Sequence, residues 1–164
     1  MDTLRSASHL QRELGDDLFN ALVSSDNTEA VRRFASGLVL PTEMTVGGRT
    51  YDILNFLWGD EPSCSGDTMV ERAIDLQAHL GKDDARNLRE HEEEIPKVLQ
   101  GKVTFVFTDY KDPDILGDVA CFRWNGRHWL LVWTPLELNF PKDYRVLRRK
   151  PGRFERTPRS GENS

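Results

Sequence analysis

The sequence predicts an α+β domain whose helical N-terminal half packs on a small antiparallel β-sheet of three or more strands. Three observations carry that expectation. Leucines recur every four residues near the N-terminus, the apolar period switches to two near residue 103, and Asn125-Gly126 stands between two apolar runs as a hairpin signal. The domain is expected to span residues 1–149, with a flexible basic tail over 150–164.

The first helix rests on Leu10, Leu14, Leu18 and Leu22, with Phe19 beside them on one apolar stripe. Gly15 inside that stripe costs about 1 kcal/mol relative to alanine, so the helix depends on packing. Asp26 and Glu29 have the spacing of a capping box, and Val31, Phe34, Ala35 and Leu38 give a second helix its buried face ahead of Pro41. Gly47-Gly48 then signals a two-residue hairpin. Its second arm is expected to run into a helical turn, because Tyr51, Leu54, Leu57 and Trp58 fit a short helix as well as Tyr51, Ile53, Phe56 and Trp58 fit a strand.

Residues 59–66, "GDEPSCSG", read as a loop. Thr68 and Glu71 form a capping box for a helix through Met69, Ala73, Ile74, Leu76 and Leu80, ended by Gly81. Asp83 or Asp84 opens the next helix, which Pro96 ends or bends, with one extra turn in "PKVLQG". "VTFVFTDY" alternates as a strand. The last two strands flank a two-residue turn at Asn125-Gly126, which pairs Arg123 with His128, Phe122 with Trp129 and Cys121 with Leu130. One side of that hairpin then carries Ala120, Phe122, Trp129, Leu131 and Trp133, and the other carries Val119, Cys121, Leu130 and Val132. Both sides are apolar, so both are expected to be covered, the aromatic one by helices.

Charge narrows the function. The chain is acidic overall, with a formal net charge of −5, yet eight of its 22 basic residues fall between Lys142 and Arg159. An acidic body argues against a nucleic-acid reader, and leaves only the basic tail for such contacts. No apolar run reaches the length of a membrane span, and the N-terminal residues lack the basic start and apolar block of a signal peptide. A cytoplasmic location is expected, with Cys64 and Cys121 as reduced thiols.

The sequence offers two classes of function. The first is a small binding or regulatory module that contacts a protein partner, with Trp58, Trp124 and Arg127 as aromatic and arginine anchors and Arg49 beside the Gly47-Gly48 turn as an anion contact. The second is a cysteine hydrolase or transferase. Cys64 precedes a capped helix whose amide dipoles favour a thiolate, His128 lies on a later strand as base, and Asn139 or Asp143 follows as the orienting residue. That order resembles the layout of papain-like cysteine peptidases, although "PSCSGDT" carries none of the local signatures of that group. The resemblance implies Cys64 as nucleophile, His128 as base and Asn139 as orienting residue. Cys121, in mid-strand among apolar neighbours, reads as a packing residue. His79, His91 and Glu94 do not stand at paired metal-ligand spacing, and no phosphate or dinucleotide fingerprint is present, so neither metal nor cofactor is expected.

Overall fold

The computed structural model describes residues 39–152, and all of its elements lie in the unit that begins at Pro41. The first two helices expected from the sequence fall outside the described residues. Eight strands, two α-helices and two 3-10 turns follow. They are β1 (Glu43–Val46), β2 (Arg49–Leu54), β3 (Ser63–Ser65), α1 (Gly66–Asp75), α2 (Lys82–Glu90), turns at Glu92–Glu94 and Lys97–Leu99, β4 (Thr104–Lys111), β5 (Asp118–Trp124), β6 (Trp129–Pro135), β7 (Asn139–Pro141) and β8 (Tyr144–Arg149).

The expected fold class is corrected by this arrangement. The described residues are mostly sheet, with two short helices. The hairpin expected at Gly47-Gly48 is β1 and β2, its second arm stays a strand where a helical turn was expected, and the expected loop over 59–66 supplies β3. Six strands form one sheet in the order β1-β2-β8-β4-β5-β6, and β3 pairs with β7 in a second. The large sheet is mixed, because β8 runs parallel to β4 while every other pair is antiparallel. The physical reason lies in local alternation. Met44 and Val46 are buried while Glu43 and Thr45 are exposed, and Tyr51 and Ile53 continue the same pattern along β2. Gly47 and Gly48 both have positive φ, at 57° and 73°, as a two-residue turn between twisted strands requires.

β8 carries the larger lesson. "YRVLRR" opens the basic run, yet it lies inside the sheet between β2 and β4. Val146 and Leu147 are buried there, while Arg148 donates to Asp52 on β2 at 3.1 and 2.9 Å. Lys150 pairs with Glu43 and Asp52, and its main-chain N–H donates to Thr50 at 2.8 Å. The acidic surface of β1 and β2 is therefore what receives the basic segment. Arg148 also holds the Asp52 carboxyl below its usual range.

Both faces of the sheet are covered. On one face Val106, Val119, Cys121 and Val146 pack with Phe56, Leu57, Phe140 and the α1 residues Met69 and Ala73. By register, the opposite face carries Tyr51, Ile53, Leu147, Phe105, Phe107, Phe122 and Trp129, all buried. α2 is tied to that face through Asp84, which accepts from the Tyr51 hydroxyl at 2.8 Å. Trp129 stacks with both Phe105 and Phe122, with ring centroids 5.5 and 5.6 Å away.

α1 begins three residues before the expected cap, at Ser65, whose hydroxyl accepts from the Thr68 N–H at 3.3 Å. It stops at Asp75, short of Gly81. Gln77 adopts a φ of +57°, the Ala78 N–H donates to Ala73 and the Gln77 N–H to Ile74, the paired bonds of a Schellman motif. α2 likewise ends at Glu90, where His91 leaves helical geometry.

Candidate functional site

α2 divides its side chains by sequence spacing. Asp84, Ala85, Asn87 and Leu88 are buried, and Lys82, Arg86 and Arg89 are exposed along one flank at i, i+4 and i+7. The buried polar members are fully engaged. Asp84 also accepts from Arg49 at 3.1 Å, and the Asn87 amide donates to the Val46 carbonyl at 2.9 Å and the Tyr51 hydroxyl at 3.0 Å. Burial and the nearby Asp84 carboxylate push the Tyr51 phenol up to about 12, so it stays a neutral donor. This polar seam sets the rotation of α2 and thereby aims its cationic flank.

That flank lines a recess of about 150 Å³ formed by Lys82, Ala85, Arg86, Arg89, Tyr110 and Leu131. The floor comes from the sheet. Leu131 lies on β6, and an irregularity late in β4 turns Tyr110 edge-on to Trp133, 5.0 Å between centroids. Among the described residues, no carboxylate lies within ion-pair distance of Lys82, Arg86 or Arg89. Three cations with no ion-pair partner among the described residues, beside an aromatic ring, offer chemistry that suits an anionic group.

The residues singled out in the sequence are placed elsewhere. Arg49 spends its guanidinium on Asp83 and Asp84, at 2.9 and 3.1 Å. The amide of Gly47, read with it as an anion cradle, already donates to the Glu94 carboxylate at 2.7 Å. Trp58 is 64% exposed, with the Arg72 guanidinium 3.9 Å from its ring centroid. Arg72 in turn donates to Glu61 at 2.5 and 3.0 Å and to the Phe56 carbonyl at 3.0 Å. Glu61 is thereby held down to about 2. Trp124 is half-buried, edge-on to Trp129 at 6.0 Å, while Arg127 is exposed in the hairpin turn.

Cys64 pairs with Phe140 in the β3–β7 ladder and is half-buried; burial raises its thiol above the ordinary value, against the opposing pull of Arg72. Asn139 stands one step along, opposite Ser65. His128 is not brought to them. Its ring lies 3.4 Å from the Asn125 amide in the exposed turn. Gly66, two residues after Cys64, lies against Leu136, eight positions along from His128, and eight extended residues span about 26 Å.

The hairpin register also differs from the expected one. Trp124 faces Trp129 and Cys121 faces Val132, because Asn125 to His128 form a four-residue loop. The Asn125 side-chain oxygen accepts from the N–H groups of both Arg127 and His128 at 2.9 Å, which closes the longer turn. A shift of two residues preserves the side of every residue, so the division into faces stands while Cys121 and His128 separate. Cys121 is fully buried, and burial pushes its thiol up to about 11.

His79 has a role the sequence did not suggest. Its Nδ1 lies 2.8 Å from the buried Thr108 hydroxyl and its Nε2 lies 3.2 Å from Asp109, which fastens the segment after α1 to β4. The α2 groove was likewise missed. Its signal was present as the i, i+4, i+7 spacing of Lys82, Arg86 and Arg89, overshadowed by the glutamates that follow. Among the described residues no group of His, Cys, Asp and Glu side chains is placed to hold a metal ion, and no helix is long and apolar enough to cross a membrane. No family model matches the chain, and no curated protein or solved structure matches it.

Proposed function

We propose that the protein is a small binding module that engages a protein partner, and that the α2 groove receives an anionic group of that partner. The observation that carries this reading is the convergence of Lys82, Arg86 and Arg89, which have no ion-pair partner among the described residues, with Tyr110 and Leu131 around one recess, on a chain of net charge −5. Cations clustered in one recess give a local positive field on an acidic molecule, which selects where a carboxylate or phosphate docks. A cytoplasmic setting accords with two free thiols.

The experiment is a titration of the full chain with fluorescein-labelled hexaglutamate, followed by anisotropy. Binding is expected to weaken steeply between 50 and 200 mM salt, on the order of the screening change over that range. The double variant Arg86→Glu, Arg89→Glu is expected to bind at least about tenfold more weakly, a loss of about 1.4 kcal/mol. Equal binding by the variant, or none by the wild type, overturns the reading.

A further inference from the structure

The groove has an open sheet edge as one wall. β6 ends the six-stranded sheet, so its outer side has no partner strand among the described residues. Its backbone phase follows from the ladder. The Leu136 N–H donates to the Gly117 carbonyl at 2.9 Å, which makes 117 and 136 a hydrogen-bonded pair, and stepping by two makes Val119–Thr134, Cys121–Val132 and Arg123–Leu130 such pairs as well. Trp129, Leu131 and Trp133 therefore turn their N–H and C=O groups outward. Trp129 confirms the phase, since its N–H donates to the Glu92 carboxylate at 3.0 Å rather than to β5.

α2 flanks this edge along its length. At one end Gly81 packs against Asp109, and the adjacent Tyr110 meets Trp133. At the other end Glu92, just past α2, holds Trp129. Glu92 closes the edge at that end, and Pro135, which has no N–H, closes it at the other. Between them the amides and carbonyls of Leu131 and Trp133 have no hydrogen-bond partner among the described residues, beside Leu131's own contribution to the cationic recess. Edges are usually blunted by a lysine, a bulge, a proline or a covering element. The central stretch of β6, "LLVW", carries none of the first three.

We infer that the partner enters as an extended acidic segment that adds a strand to the outer edge of β6 and directs alternate carboxylates at Lys82, Arg86 and Arg89. This rests on the binding-module reading of the groove. Spacing supports it. Residues i and i+2 of a strand are about 6.7 Å apart, and Lys82 and Arg86 are separated by about 6 Å of helix rise. Main-chain hydrogen bonds then supply affinity, and the cations select the side chains. An acidic peptide suits the site better than a nucleic acid because three cations in one small recess match a few carboxylates, whereas a phosphate backbone requires a longer basic face.

The test uses the full chain and the probe acetyl-Val-Glu-Val-Glu-Val-Glu-Val-amide, with two N-methylated versions, one modified at every glutamate and one at every valine. One methylated set is expected to lose at least about tenfold in affinity while the other binds like the parent, since only one set of amides faces β6. Amide exchange at Leu131 and Trp133 is expected to slow on binding. If the parent binds but both methylated probes match it and those amides are unprotected, strand addition is overturned. The anion groove then still stands, provided that Arg86→Glu, Arg89→Glu abolishes that binding. If neither this peptide nor hexaglutamate binds, the groove reading itself falls. Displacement of the peptide by an equal concentration of an eight-nucleotide oligothymidylate overturns the acidic peptide as the ligand class. A concentration-dependent dimer that protects Leu131 and Trp133 without peptide assigns the edge to a second copy and overturns the inference.

Discussion

Gln77 sits where glycine is the usual residue. Its φ of +57° closes α1, and a side chain in left-handed geometry costs about 1 kcal/mol or more. Gln77→Gly is expected to raise stability by about 0.5–1 kcal/mol and Tm by a few degrees, whereas Gln77→Val lowers both; thermal unfolding measures each. Glu61 makes a second prediction at this scale. Its carboxyl is held near 2 by Arg72, below the ordinary value, so its stabilising contribution is complete above about pH 4.5 and is lost as pH falls toward 2. Between pH 5 and 2 the stability of Glu61→Gln should fall less steeply than that of the wild type, and parallel curves would deny the ion pair that role. Single residues were unevenly legible. The Gly47-Gly48 turn could be read directly, because few other residue pairs accept two positive φ angles. The positive φ of Gln77 could not, because its cause is the buried contact of Ala73 with Ala78 rather than any preference of glutamine.

At the scale of elements, the β5–β6 hairpin shows what local pattern settles and what it leaves open. Alternation assigned the residues of both strands, Val119 to Phe122 and Trp129 to Trp133, to their faces, because burial has a period of two, while Arg127 and His128, expected on the second strand, lie in the loop. The register moved by two positions, which that period cannot detect, and Asn125 is the residue that chose it. Asn125→Ala removes both turn bonds and is expected to cost about 1–2 kcal/mol. It should also speed amide exchange at Arg127 and His128, read by NMR, while leaving Trp129 protected by Glu92. β8 was hidden for a different reason. Its arginines read as part of a basic run, and burial of Val146 and Leu147 together with the carboxylates of β1 and β2 makes a strand of it. The α2 groove was half legible: the cationic spacing is in the sequence, but Tyr110 and Leu131 join it only through sheet order.

The whole molecule depends on residues 144–149. β8 is the sole link between the β1–β2 hairpin and the β4–β5–β6 meander in the large sheet. A chain ending at Gly152 keeps β8 and the ion pairs of Arg148 and Lys150, and is expected to melt within about 2 °C of the full chain. A chain ending at Lys142 loses the central strand and the buried Val146 and Leu147, and is expected to show no cooperative unfolding transition.

The same placement bears on how the protein is made. Among the described strands, the one that completes the sheet is also the last in chain order, so until it is made β2 and β4 each present an unsatisfied edge with no neighbour between them. Folding by such distant pairing is slow, and half-built sheets attract one another. The chain is therefore expected to aggregate more readily before β8 has paired than after it, which light scattering during refolding at rising protein concentration checks.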